Sequence, residues 1–181
     1  MTSTALNPSL WEAGSSPNPL IGMDSDPSSS VASGLDPAAV ETLLSEGMAC
    51  YAQDPQRGDF LIHFACVQSP TTLALLRIAY KFYNRQRRFD LARDLAGRAL
   101  AEAARQAGMD AHFHGWSRTA WNQHDPLLFS QALLALKALA FLALRDGMEA
   151  AARPYLDTLL RLDPEDGSGA SVVEALMHST T

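Results

Sequence analysis

From Asp36 onward the chain repeats one pattern: apolar residues recur every three or four positions, and no stretch alternates apolar with polar as a strand does. A helix turns once in about 3.6 residues, so this spacing lays the apolar side chains along one face. Asp36-Pro37 opens the first such stretch as an N-cap followed by a proline in the first turn, and Val40, Leu43, Leu44, Met48 and Tyr51 follow at helical spacing. Asp54-Pro55 through Gly58 reads as a break, with a short second helix from about Phe60 to Gln68. Further helices are expected over Thr71–Arg85, Phe89–Gln106, Pro126–Arg145, Glu149–Leu162 and Ser171–Met177. Gly108 and Gly147 stand where C-terminal glycines would stop two of them. Pro154 fits inside its helix only if that helix starts late or bends, because proline lacks the N–H that the ladder needs. The fold class predicted is all-α.

The helices group into pairs with a common register. Leu136, Leu139, Ala140 and Ala143 line the first helix of the last pair, and Ala152, Leu156 and Leu159 the second, closed by Leu-Asp-Pro at Pro164. Leu76, Ala79, Tyr80 and Tyr83, then Ala92, Ala96 and Ala99, occupy the same slots in the middle pair. Stepping back once more places Gly58, Ile62 and Ala65 in the second helix of a first pair, with Leu43 and Gly47 in its partner. This large-and-small pattern, at a spacing of about 34 residues, resembles the tetratricopeptide repeat. The resemblance implies a solenoid of three helical hairpins, about 39–72, 73–106 and 133–166, within a domain spanning 36–181. A 107–132 insertion separates the second hairpin from the third, and the helix from Ser171 caps the open end. The layout is also similar to bacterial type III secretion chaperones, although the insertion departs from their uninterrupted repeats.

Residues 1–35 differ in kind. They hold nine serines, four prolines and three glycines, with acids at Glu12, Asp24 and Asp26, a composition that buries too little apolar surface to offset ordering entropy. A disordered leader is expected there, with Trp11 beside Leu10, and Leu20 beside Ile21, as the exceptions to its polar character. The first thirty residues carry no Lys or Arg and no apolar block, unlike a secretory signal peptide. Cys50 and Cys66 lie in apolar helical stretches and read as reduced thiols, so a cytoplasmic location is expected. The longest apolar run, Ala132 to Leu144, carries Lys137 and falls short of the roughly 20 residues a bilayer requires; no membrane partner is expected.

Charge is uneven. Between Arg77 and Arg105 eight basic residues (Arg77, Lys81, Arg85, Arg87, Arg88, Arg93, Arg98 and Arg105) face only Asp90, Asp94 and Glu102, whereas the whole chain carries −6. Either these cations form a solvated face paired with nearby acids, or Arg85, Arg87 and Arg88 centre a surface for an acidic peptide or phosphate. The acidic total, and the lack of aromatic residues interleaved as stacking platforms, argue against nucleic acid.

No phosphate-binding glycine loop, nucleophile elbow or zinc-helix motif appears, and no nucleophile–base pair stands out, so neither an enzyme nor a cofactor is expected. The first helices of such hairpins line the groove, which makes Arg77, Tyr80, Lys81, Asn84 and Lys137 the candidate contacts for a peptide or helix of a partner protein. In the insertion, Phe113, Trp116 and Trp121 are either anchors folded onto neighbouring helices or partner-binding aromatics. An alternative function is a metal- or cofactor-binding accessory protein using His112, His114 and His124. Another is an exported protein whose leader is a secretion signal.

Overall fold

The computed structural model describes residues 35–179. The leader, and with it any secretion signal, lies outside the described residues. Within them the structure is helical, without strands: α1 (Pro37–Cys50), α2 (Pro55–Gln68), α3 (Leu73–Arg85), α4 (Phe89–Gln106), α5 (Arg118–Trp121), α6 (Pro126–Arg145), α7 (Glu149–Leu162) and α8 (Ala170–Ser179), with one 3-10 turn at Phe113–Gly115.

Local chemistry accounts for most helix ends. The Asp54 carboxylate accepts from the Arg57 N–H at 3.0 Å, and that of Asp125 from the Leu127 N–H at 2.8 Å, each with a proline in the first turn behind it. The expected break at Asp54–Gly58 is therefore a helix start, and α2 begins five residues before Phe60. At the other ends Gly108 and Gly147 take positive φ, and the next N–H closes back onto the carbonyl of Ala104 or Ala143. The α3–α4 turn has the same geometry, with Arg88 N–H on the Tyr83 carbonyl at 2.9 Å, but its left-handed residue is Arg87 at φ 60°. Helix α7 runs through Pro154; the carbonyl left without its N–H belongs to Ala150, which is exposed to water.

Three helical hairpins result: α1 with α2, α3 with α4, and α6 with α7. In the first, two glycines meet. A Cβ on Gly58 would stand 2.9 Å from the Gly47 carbonyl oxygen, so the helices cross closer than side chains allow. Between the second and third hairpins, α6 packs along α4 as extensively as along its own partner α7, and α8 lies across both α6 and α7. Alanines dominate these seams: Ala92, Ala96, Ala103, Ala132, Ala135 and Ala140 are all fully buried, and Leu76, Leu136, Leu142 and Leu159 fill the space between.

The insertion forms part of this core. Trp116 and Trp121 are 3% and 1% exposed and meet edge to face at 5.1 Å, and Phe113 stacks on Tyr155 of α7 at 4.9 Å. Arg161 of α7 donates to the carbonyls of His114 and Trp116 at 2.8 and 3.3 Å. Neither tryptophan offers surface to a partner; burying the rings removes the largest apolar area in the segment from water. Helix α6 runs over Pro126–Arg145, the span expected from the sequence, so the last residues of the 107–132 segment are its first turns.

Candidate functional site

One face of the molecule is lined by α1, α3 and α6, the first helices of the three hairpins. On it α3 presents Ala74, Ile78, Lys81 and Arg85 to solvent, a row at three- and four-residue spacing, with Ile78 44% exposed. A cleft runs along each side of that row. The one towards α1, of about 330 Å³, is largely apolar, with Val40, Leu44, Met48, Leu75 and Ile78 in its wall and Glu41 at its rim. The one towards α6, of about 250 Å³, has Leu134, Ala138 and Phe141 on one side and Tyr80, Lys81, Asn84 and Lys137 around it. Four of the five groove contacts expected from sequence thus line one cleft. Burial pushes the Tyr80 hydroxyl up to about 12, against the opposing pull of Arg77, so it stays a neutral donor and acceptor. Lys137 also donates to the Ser168 carbonyl at 2.7 Å, which ties the loop before α8 to α6.

The basic residues divide by helix. Those of α4 and its N-cap are occupied: Arg88 lies 3.2 Å from Asp59 of α2 and 3.8 Å from Asp90, and Arg93 lies 2.7 Å from Asp146. Arg98 donates to the Cys66 carbonyl, and Arg105 pairs with Glu102. Arg88 therefore joins two hairpins rather than centring a patch; its partner is 29 positions away in sequence. By contrast Arg77, Lys81, Arg85 and Arg87 have no anionic partner among the described residues. Arg77, Lys81 and Arg85 repeat every four positions, an arrangement in which like charges repel along a helix. Arg87 holds a conformation that disfavours any side chain by about 1–2 kcal/mol, where the corresponding turns have Gly108 and Gly147.

The opposite side, towards α2 and α4, holds a cleft of about 230 Å³ with Cys66, Tyr83, His63, Arg88 and Arg98 in its walls. Burial lifts the Cys66 thiol to about 11, opposed by Arg98, which leaves it protonated and unreactive. Tyr83 is driven well above the ordinary phenol range by burial and then by the Asp59 carboxylate.

The histidines do not gather. His112 is exposed and 3.0 Å from Asp110, His114 stacks on Phe113, and His124 lies against the edge of Trp121. Among the described residues no three His, Cys, Asp or Glu side chains group as a metal set.

Sequence reasoning missed the α1–α3 cleft and the place of Phe141. The exposed Glu41 and Ser45, recurring on the side of α1 that carries Val40, Leu44 and Met48, were the available signal. No family model, curated protein or solved structure matches this chain.

Proposed function

We propose that the protein is a cytoplasmic adaptor or chaperone that binds a segment of another polypeptide along the α1–α3–α6 face, with its hairpins stacked as in tetratricopeptide solenoids. The observation that carries this reading is the pair of clefts flanking α3, which offer apolar walls on one surface, with Lys81, unpaired among the described residues, beside the second. An amphipathic helix or an extended peptide buries apolar side chains in such clefts and sets carboxylates against Arg77 and Lys81. Catalysis is not part of the proposal.

The test is selection of binders from a random peptide library displayed on phage, with the full chain as bait. Peptides carrying spaced apolar residues are expected, and Ile78→Asp with Ala138→Arg should abolish their binding while leaving the circular dichroism spectrum intact. Recovery of the same peptides by the substituted protein would rule the face out.

A further inference from the structure

Beyond the clefts, the end of this face where α3 and α6 terminate has a charge that no described residue answers. The Arg145 guanidinium of α6 lies 5.3 Å from the centre of the Phe89 ring and 5.7 Å from that of Phe141, which brings it beside the α3–α4 turn that carries Arg85 and Arg87. Phe141 is also a wall of the α3–α6 cleft, so this corner continues directly from it. The acids nearby are spent: Asp59 and Asp90 face Arg88, and Asp146 faces Arg93. Arg85, Arg87 and Arg145 are exposed, and no carboxylate among the described residues reaches any of them.

Two of the three have a local reason to be basic. Arg85 and Arg145 stand in the last turns of α3 and α6, where a cation offsets the helix dipole. Arg87 has none. It occupies the left-handed position of the turn, its carbon skeleton opposes that conformation, and its charge adds to the repulsion from Arg85. Residues that break a local rule in this way cluster where something outside the fold is recognised, and Arg87 does so with no compensation among the described residues.

We infer that Arg85, Arg87 and Arg145 form a receptor for a run of carboxylates in the bound polypeptide, adjoining the α3–α6 cleft and fixing which end of the segment lies there. The inference rests on the groove reading above. Guanidinium groups pair with carboxylates in two-pronged fashion, and three of them spaced over two helix ends and a turn match acids spread along a peptide. A nucleic acid fits less well. The chain carries −6 overall, and the rings beside Arg145 are half-buried under its guanidinium rather than open for bases to stack on.

The same peptide selection tests it with two further baits. The triple variant Arg85→Glu, Arg87→Glu, Arg145→Glu should exchange Asp- and Glu-rich peptides for Lys- and Arg-rich ones. Arg87→Gly should weaken the acidic peptides about tenfold while raising the melting temperature, a combination that damage to the fold does not produce. Apolar peptides without acidic enrichment, bound equally by all three baits, would overturn the receptor and leave the groove standing. Failure to select any peptide would overturn both. Tighter binding of a single-stranded oligonucleotide or of anionic lipid vesicles than of the acidic peptides would also overturn the receptor.

Discussion

The Arg88 guanidinium lies 3.2 Å from the Asp59 carboxylate and, through the same nitrogen, 3.2 Å from the Tyr51 hydroxyl. It is a polar tie between the first and second hairpins, whose seam is otherwise flanked by a cleft on each side. Both charged partners are about one-third exposed or more, so solvent screens the pair. Arg88→Ala is expected to lower stability by only about 1 kcal/mol, yet to raise amide exchange selectively in α1 and α2. Uniform acceleration across all helices in hydrogen-exchange mass spectrometry would contradict this.

Glycine to alanine should have opposite signs at two helical sites. At Gly58 the new methyl would meet the Tyr51 ring at 2.7 Å and the Gly47 carbonyl at 2.9 Å, and backbone cannot swing aside; a loss of about 2 kcal/mol is expected. At Gly97, within α4, nothing stands within 4 Å of the added carbon, so Gly97→Ala should stabilise by about 1 kcal/mol through helix propensity. Urea denaturation of the two variants measures both.

Arg87→Gly removes a side chain from a left-handed turn and should stabilise by about 1 kcal/mol. Arg87→Ala keeps the unfavourable Cβ and should gain little. Equal gains from the two would mean that charge relief, not backbone conformation, is the source.

Acid should release the C-terminal helix before the rest. Burial pushes the Asp163 carboxyl up, but its contacts from Ser168 and the Gly167 N–H outweigh that and hold it below the ordinary carboxylate value. Asp166 is lowered as well, first by the Ser171 hydroxyl. A group whose folded value is depressed contributes stability above its unfolded value and loses it as pH falls through the folded one. Exchange protection in α8 should therefore decline below about pH 4, and Asp163→Asn should flatten that decline. Identical acid profiles for the two proteins would contradict it.

The helices that read correctly from sequence are those whose ends are written locally. Helix α4 stops with Gly108 just beyond it, and α6 lies between Pro126 and Gly147, so pattern and punctuation agree. The start of α2 is ambiguous in sequence because Asp-Pro serves equally as a turn and as a cap; the crossing of Gly58 on Gly47, a tertiary fact, decides between them. The division of the arginines was illegible for the same reason. Arg88 and Arg93 find their acids on other hairpins, and only the assembled fold reveals which cations are left over. That Tyr80, Lys81 and Asn84 line one cleft follows from the sequence in part, since they share one side of a helix whose buried face the spacing of Leu76, Ala79 and Tyr83 defines.

Helix α6 has a consequence for how the chain is made. Its unbroken apolar run is too short for a bilayer, but the whole helix is long and apolar enough by length and composition, as a buried core helix also is; in the fold it lies between α4 and α7, with α8 across α6 and α7. A ribosome delivers α4 before α6, and α7 and α8 after it. Until Glu149–Leu162 has emerged, one flank of this helix stays uncovered, and the nascent chain displays what an insertion machinery selects for. Covering that flank, which α7 and α8 complete only after α6 has been made, is thus a late step in building the fold.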